Sequence, residues 1–484
     1  MATNTGSTGT ITFDELFAKL DNSRLTANHY KLITAAVLGD LLEFFDLFLI
    51  SFVLAFIVVP WKLSFGATAV VLLSAGVGSF LGSFFFGWLA DRWGRLTVCI
   101  IAIFTFSVPT GLLYFTPNGN WILLSALRFV VGFGVGGLYS VDLPLVQEFV
   151  PSRYRGAIGG LVTALIPTGT MLASISAAYL TPMVGWRGLF LIGLIPCAMS
   201  LMFRLWMRES PRYLISRGRY QDAIKSINWV LRENYDPKNV VISATTSQLK
   251  KAAPKFSEIF QYPRSVAVAW TTNFLQAIFD YGFVLWCPTL FVLTLNVSAA
   301  RAAEMFIVVS FFSVFGKPLW AFISEAIGRR LAGMIMAVGA AITQLIFANF
   351  WQYSVGGLPV IWLSAMAVYF FVNGGFAITG PYSSEIWPQR LRGTGMGSSY
   401  GMGGIGRICG PLILSLFAGA GTLVTPKATT AAIRPVWTLF ALCAVVLFVT
   451  YYLAKETKNK SIDEIEKMLG SPDAPKEPLK TTAR

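Results

Sequence analysis

The sequence predicts an all-α membrane protein, a polytopic chain of twelve transmembrane helices in two pseudo-symmetric six-helix halves. The prediction rests on the composition, on a series of apolar stretches and on an internal repeat. Hydrophobic residues make up 55% of the 484 residues and charged residues only 13%, and the mean hydropathy is +0.63. Soluble domains carry about 25% charged residues. The composition therefore excludes soluble enzymes, disordered chains and small disulfide scaffolds.

Twelve apolar stretches follow one another along the chain, and each is close to or longer than the ~20 residues that a helix needs to cross a bilayer. They cover residues 31–59, 67–90, 96–115, 121–147, 156–180, 187–207, 265–294, 302–323, 331–350, 357–381, 393–419 and 433–454. Because twelve is an even number, both termini lie on the same side of the membrane.

The distribution of basic residues orients the chain. Four of the short even-numbered loops carry arginine pairs, namely Arg92 with Arg95, Arg153 with Arg155, Arg329 with Arg330, and Arg390 with Arg392. The odd-numbered loops hold only scattered basic residues. By the positive-inside rule, the paired loops and both termini are cytoplasmic, which predicts a multi-pass protein of the cytoplasmic (inner) membrane. The net charge of +14 then reflects orientation, and we expect no nucleic-acid partner.

Five segments follow from this pattern. A cytoplasmic N-terminal segment (1–30) precedes an N-terminal six-helix half (31–207), a cytoplasmic central loop with short helices (208–264), a C-terminal six-helix half (265–454) and a cytoplasmic tail (455–484). The first segment lacks the basic start, short apolar core and cleavage site of a signal peptide, so we expect it in the mature protein. The eleven Lys and Arg residues of the central loop leave open a second role in binding anionic lipid headgroups.

Two motifs recur with nearly one offset, which indicates an internal duplication. Residues 148–156 (EFVPSRYRG) match 385–393 (EIWPQRLRG) at an offset of 237, and 91–95 (DRWGR) match 325–329 (EAIGR) at an offset of 234. Each copy lies where an acid and an arginine can bridge neighbouring helices, so we expect a cytoplasmic gate. Its candidate residues are Asp91, Arg95, Glu148, Arg155, Glu325, Arg329, Glu385 and Arg392. Parallel repeats of this kind indicate a transporter whose central site opens alternately to each side.

Residues 82–95 (GSFFFGWLADRWGR) resemble the signature of the major facilitator superfamily, and the resemblance extends over about 31–470. Residues 209–212 (ESPR) and 456–458 (ETK) resemble markers of its sugar-porter branch, whereas residues 39–46 (GDLLEFFD) resemble its metabolite:proton symporter branch. The chain departs from the signature at Leu96, where a second basic residue is common. The resemblance implies a transporter with two six-helix halves.

Ionisable residues inside a span are costly and are functional candidates. In the first span Asp40, Glu43 and Asp46 lie three residues apart and share one side of the helix. Burial together with like charge raises the proton affinity of such carboxylates. The resemblance to sugar porters implies that Asp46 pairs with Arg128; the alternative is a permanent pair that only fixes helix packing. His29, the single histidine, precedes the first span, so we expect carboxylates to carry the coupling.

Arg407 is the candidate anchor for an anionic substrate, because a guanidinium can hold a carboxylate through two hydrogen bonds. Relatives in the symporter branch commonly place this arginine at the position of Gly404. Arg407 could instead pair with Asp280, and Lys317 is expected to snorkel or to join the gate. The other expected substrate residues come from two sources: the positions at which sugar porters bind hydroxyl groups, and aromatic side chains that could line the cavity. They are Gln276, Tyr281, Phe376, Tyr382, Thr163 and Thr170.

The leading function is the proton-coupled symport of a small organic acid, with aromatic carboxylates among the candidates. A sugar or polyol symporter is the alternative, favoured by the two sugar-porter markers and opposed by the few hydroxyl readers; a transport-dead receptor is a remote one. The sequence offers no nucleophile with its base, no metal-ligand cluster and no phosphate loop, so we expect no enzyme, cofactor or metal. The five cysteines have no CxxC spacing. We expect a monomer whose partners are the substrate, protons and the bilayer.

Overall fold

The structure is a computed structural model that describes residues 11–241, 256–388, 391–458, 460 and 462–469. Helices dominate this part of the chain. In the first half they are α1 (Phe13–Asn22), α2 (Ala27–Ile57), α3 (Phe65–Trp93), α4 (Arg95–Leu112), α5 (Trp121–Phe149), α6 (Ser152–Ala164), α7 (Ile166–Tyr179), α8 (Thr181–Ile192) and α9 (Ile195–Trp206), followed in the central loop by α10 (Pro211–Ser216) and α11 (Tyr220–Leu231).

The second half continues with eight more helices. They are α12 (Pro263–Val284), α13 (Cys287–Leu295), α14 (Ala299–Ile327), α15 (Arg329–Phe350), α16 (Val360–Glu385), α17 (Arg392–Ala418), α18 (Pro426–Leu453) and α19 (Ile462–Leu469). Two short sheets complete the described elements: β1 (Ile11–Thr12) pairs in parallel with β2 (Val240–Val241), and β3 (Ser354–Val355) pairs antiparallel with β4 (Leu358–Pro359).

Nine helices or helix pairs of the described part are long and apolar enough to cross a membrane. A tenth span forms if α12 and α13, which meet at a bend of 42°, are counted as one. The first predicted span is α2, whose apolar stretch is interrupted by three acids, and the fifth is divided between α6 and α7. The order of the helices thus follows the order of the twelve predicted stretches.

Proline marks the breaks in the interrupted spans. Helices α7, α8, α9 and α13 each carry proline as their second residue. Proline has no N–H to donate to the preceding turn, but it suits the first turn of a new helix. An apolar stretch that is continuous in sequence therefore becomes two helices in the fold.

The chain forms two compact units. The first comprises Met1–Leu49, Ser74–Ser176 and Leu180–Ala253, and the second comprises Ile50–Leu73, Ala177–Tyr179 and Pro254–Arg484. Residues 50–73, which lie in the predicted N-terminal half, group with the second unit. There, the backbone N–H groups of Phe65 and Gly66 donate to the carbonyls of Thr422 and Ala420.

Glycines bring α3 and α5 into backbone contact inside the first unit. A Cβ added to Gly132 would lie 2.0 Å from the carbonyl oxygen of Ala75, and one added to Gly136 would lie 2.0 Å from that of Ser79. No side chain fits at such a distance. The glycine-rich run 132–137 therefore serves close helix packing.

The N-terminal segment is built into the first unit. Thr12 and Glu15 form a capping box at the start of α1, and Phe13, Leu16 and Leu20 are buried. Lys19 Nζ donates to the hydroxyl of Tyr235 at 2.9 Å. The Phe13 ring packs on that of Tyr220, with 6.0 Å between the centroids, so the apolar face of this amphipathic helix contacts α11.

His29 joins this segment to the end of α5. It lies in the first turn of α2, ahead of the apolar stretch that begins at residue 31, and it is completely buried. Its Nε2 is 3.0 Å from the carbonyl oxygen of Phe149, and the N–H of Thr26 donates to its Nδ1 at 3.0 Å. Burial lowers the pKa of His29 from its ordinary value of 6.5, although the Phe149 carbonyl acts in the opposite direction.

We expect His29→Gln to remove a pH-dependent part of the stability. Because the pKa is lower in the folded than in the unfolded protein, the unfolded chain binds the extra proton as the pH falls through 6.5. The stabilisation by His29 is therefore complete above that pH and declines below it. Melting temperatures of wild type and variant are compared in detergent at two pH values. The two proteins should differ clearly at pH 7.5 and much less at pH 5.5. An equal difference at both values would contradict the assignment.

Candidate functional site

A buried acid and a buried arginine meet along α2 in the first unit. Asp46 and Arg128 have no exposed side-chain surface, and Arg128 Nη1 lies 3.8 Å from Asp46 Oδ1. The guanidinium also donates to the carbonyls of Asp46 at 3.1 Å and Leu47 at 2.9 Å. Thr110 Oγ1 donates to Asp46 Oδ2 at 2.8 Å. A proton added to this carboxylate would cancel its charge and with it the attraction to Arg128.

Three further acids lie inside spans of the first unit. Asp40 and Glu43 are buried, as is Asp142 of α5. All three act electrostatically on the buried thiol of Cys99 in α4. The first unit thus contains three buried carboxylates besides that of Asp46.

The two threonines expected in the fifth span lie on different helices. Thr170 of α7 is buried, and its hydroxyl has no hydrogen-bond partner within the described residues. Its neighbour Gly169 packs on α2, where an added Cβ would lie 2.6 Å from the carbonyl of Leu41. Thr163 lies on α6, and its side chain is outside the described part of the structure.

In the second unit, Arg407 lies between two tyrosine rings. Its Cζ is 4.4 Å from the ring centroid of Tyr400, two turns earlier on α17, and 5.8 Å from that of Tyr281 on α12. Arg407 is half-buried and Tyr281 is buried. A guanidinium that contacts rings through its face directs its N–H groups outward at its edge, and a planar carboxylate binds to that edge.

A second cation and an acid lie in the same unit. Lys317 of α14 is buried, and its Nζ is 6.0 Å from the ring centroid of Phe376 on α16. Asp280, which precedes Tyr281 on α12, is buried and accepts a hydrogen bond from Asn373 Nδ2 at 3.1 Å. Lys317 and Arg407 both act electrostatically on Asp280. We call Asp280, Lys317 and Arg407 the charge triad.

The remaining expected substrate residues have different surroundings. Gln276 is buried on α12 and donates from Nε2 to the Val372 carbonyl, while its Oε1 has no hydrogen-bond partner among the residues described. Tyr382 donates from its hydroxyl to the Lys455 carbonyl at 2.8 Å and lies near the C-terminal tail. Trp286 donates to the Pro411 carbonyl at 3.0 Å, and Phe279 packs on Phe440. The structure thus brings Tyr281 and Phe376, but not Tyr382, next to the cations of the charge triad.

The repeated motifs lie at one end of the helices in each unit, which we call the arginine end after Arg95 and Arg329. In the first unit, Arg95 Nη2 is 2.8 Å from Glu148 Oε1. Ser210 Oγ also donates to Glu148. The carboxylate of Glu209 accepts from the backbone N–H groups of Arg95 and Leu96, and it therefore caps the start of α4.

The second unit repeats the arginine–glutamate pair, the hydroxyl contact and the glutamate cap. Arg329 lies 3.2 Å from Glu385 and also pairs with Glu325. Thr457 Oγ1 donates to Glu385 at 2.6 Å. Glu456 accepts from the N–H groups of Arg329 and Arg330 at 3.0 Å each, and it therefore caps α15.

One glycine at each junction makes room for the cap. Gly94 has φ +96° and Gly328 has φ +101°, a backbone conformation that other residues rarely adopt. A Cβ at either position would lie 2.3–2.5 Å from a carboxylate oxygen, that of Glu209 or Glu456 respectively. The repeat therefore conserves the acid, the glycine and the arginine between the two units.

Of the three further gate candidates, Arg155 and Asp91 have other partners. Arg155 Nη2 lies 2.8 Å from Asp21 of the N-terminal segment, and its Nε donates to the Val150 carbonyl. Asp91 accepts through its backbone carbonyl from Arg217. Arg392 opens α17, and its Nε makes no hydrogen bond within the described chain. Arg155 therefore fastens the N-terminal segment and is not paired with Glu148.

No group of three or more His, Cys, Asp or Glu side chains that could hold a metal occurs among the described residues. Sequence reasoning missed Asn373 and Tyr400, and it gave Asp280 and Lys317 only secondary roles. The available signal was the presence of charged residues inside apolar spans, which is a functional indication by itself.

This architecture, with buried charges inside membrane-spanning helices of two repeated halves, defines a polytopic membrane transporter. The chain belongs to the family described as "Sugar (and other) transporter", which its residues 31–469 match. This assignment confirms the major facilitator superfamily and the all-α fold of twelve helices in two halves that the sequence predicted.

Similar proteins are transporters. The niacin transporter NiaP of Acinetobacter baylyi is 27% identical over 455 residues, 93% of this chain and 99% of its own. From the same organism, the cis,cis-muconate transport protein is 27% identical (84% and 92% covered), and the benzoate transport protein is 24% identical (81% and 84% covered). A double-tryptophan mutant of XylE has a similar structure, with a TM-score of 0.69, 20% identity, and 92% and 99% of the two chains covered.

Proposed function

We propose that this protein is a proton-coupled symporter that imports a small, flat organic acid through the cytoplasmic membrane by alternating access, as a monomer. The observation that carries the proposal is the guanidinium of Arg407 between the rings of Tyr281 and Tyr400. Cation and rings together suit a carboxylate attached to an unsaturated or aromatic body. The names of the niacin, muconate and benzoate transporters support an organic acid as substrate, and two of these three acids, nicotinate and benzoate, carry a single carboxylate.

In this proposal Asp46 carries the coupled proton. Its carboxylate has no exposed surface and is held by Arg128 and Thr110. Protonation weakens the link to Arg128, so the proton changes the balance between conformations by its different affinity for each. The acids Asp40 and Glu43, on the same helix, are the next candidates for the proton.

Uptake by proteoliposomes tests the function. We expect an inward proton gradient to drive accumulation of labelled nicotinate or benzoate, and a protonophore to abolish it. Labelled xylose serves as the competing substrate. Xylose accumulation without uptake of either acid would overturn the organic-acid assignment in favour of a sugar symporter.

The sugar alternative is supported by one observation in the second unit. Gln276 is buried, and its carboxamide oxygen has no partner among the described residues. Such an oxygen could accept from a substrate hydroxyl. The acid remains the proposed substrate because the guanidinium of Arg407 lies between the rings of Tyr281 and Tyr400.

We further propose that the arginine end is a cytoplasmic gate, with both termini in the cytoplasm. Glu385→Gln removes the charge that attracts Arg329 and should loosen this end when it is closed. A cysteine at Gly397 reports the change in a chain without native cysteines. Gly397 shares the face of α17 that holds Tyr400 and Arg407, and a Cβ there meets nothing within 4 Å. Its labelling by an impermeant maleimide from the cytoplasm should become faster.

Glu304→Gln is the matched control for this experiment. Glu304 pairs with Arg301 one turn away, at an exposed position on α14. Exposed pairs of this kind contribute about 0–1 kcal/mol, so labelling at residue 397 should not change. Equal labelling rates in Glu385→Gln and in the control would remove the gate assignment.

A further inference from the structure

The charge triad contains two cations and one acid, all of which belong to the second unit. Lys317 lies on α14, Asp280 on α12 and Arg407 on α17, so three helices contribute one charge each. Lys317 is 4% exposed and Asp280 is 3% exposed. With all three ionised, the triad has a charge of +1.

The three charges are held in place by neutral neighbours. Asn373 donates to Asp280 at 3.1 Å, the Phe376 ring lies 6.0 Å from Lys317 Nζ, and the Tyr281 ring lies 5.8 Å from Arg407 Cζ. Since Tyr281 follows Asp280 in sequence, the acid and the cation–ring contact are fixed by adjacent residues of one helix. Both cations act electrostatically on Asp280. Its negative charge therefore compensates the positive charge of one of them, Lys317 or Arg407.

An uncompensated charge is costly in a site with little water. A substrate with one carboxylate brings the triad from +1 to 0, whereas a substrate with two brings it to −1. If Asp280 were neutral, the same two cations would balance two carboxylates.

We propose that Asp280 selects substrates by charge: it neutralises one of the two cations, so that the site accepts monocarboxylates and disfavours dicarboxylates. Lys317 is the cation that a second carboxylate would otherwise reach. The proposal rests on the proposed function, because it assumes that an organic anion binds at Arg407. It adds two points to that function: the charge of the preferred substrate, and Asp280 as the residue that determines this preference.

Binding of benzoate and terephthalate to the purified full-length protein tests the proposal. The two probes share one flat ring and differ by one carboxylate. Wild type should prefer benzoate. Asp280→Asn raises the charge of the triad to +2 and should increase the ratio of terephthalate to benzoate affinity by about tenfold or more. The double variant Asp280→Asn with Lys317→Gln restores +1 and should return the ratio towards wild type.

The outcomes separate this proposal from the function on which it rests. If wild type binds neither probe, the charge selection by Asp280 is overturned, whereas uptake of nicotinate decides separately on the proposed function. If wild type binds benzoate but the ratio is unchanged in Asp280→Asn, or the double variant keeps the ratio of the single one, only the charge selection by Asp280 is overturned. If Asp280 had only a structural role, Asp280→Asn would weaken the binding of both probes alike and leave the ratio of their affinities constant. That result would contradict the proposal.

Discussion

Asp46→Asn should abolish accumulation of the substrate against its gradient while substrate exchange across the membrane continues. Asparagine has the shape of a protonated aspartate but never carries the negative charge that attracts Arg128, 3.8 Å away. The variant can still rearrange with substrate bound, but it no longer needs a proton to do so. Counterflow and gradient-driven uptake in the same proteoliposomes measure the two activities separately.

The control for this result is Asp222→Asn. Asp222 forms a surface pair with Arg219 at 2.8 Å on the exposed side of α11. The same chemical change there should leave accumulation intact. Accumulation at the wild-type level in Asp46→Asn would show that the proton is carried elsewhere, with Glu43 or Asp40 as the next residues to test.

Arg407→Lys should weaken the binding of an organic acid nearly as much as Arg407→Ala, by about 10- to 100-fold. Lysine keeps the positive charge but loses the planar group that contacts Tyr400 and Tyr281 and can form two parallel hydrogen bonds with a carboxylate. Equilibrium binding of labelled nicotinate to the purified variants measures the loss.

Arg434→Lys is the matched substitution at an exposed position of α18. It should bind the acid as wild type does. If Arg407→Lys also keeps wild-type affinity, Arg407 does not anchor the carboxylate, and Lys317, the other cation of the charge triad, becomes the next residue to test.

The course of the helices was predictable because each span must satisfy its backbone hydrogen bonds internally and must be apolar over its length. The breaks at the starts of α7 and α13 follow from proline, a local signal that hydropathy alone overlooks. The motifs of acids and arginines at the arginine end could also be located from the sequence, because the two copies of each motif keep the same order of residues.

The pairing of Asp46 with Arg128 could be predicted through the resemblance, but the surroundings of other charged side chains could not. The sequence predicts that Lys317 snorkels or joins the gate, whereas its side chain is buried beside Phe376. Arg155 contacts Asp21, which lies 134 residues earlier in the N-terminal segment, outside the spans. Such contacts depend on how helices rotate against one another, and sequence spacing constrains only residues on the same helix.

The two glutamate caps have a consequence for biosynthesis. Glu209 arrives 114 residues after Arg95, and Glu456 arrives 127 residues after Arg329. In each half, the N–H groups at the start of the third span (α4 or α15) are therefore synthesised well before the carboxylate that caps them. That carboxylate leaves the ribosome only after the sixth span. A nascent chain that ends before Glu456 contains every membrane-spanning helix but leaves α15 uncapped. Each half thus receives its closing contact as its last event of synthesis, and the tail after the final span is part of the fold.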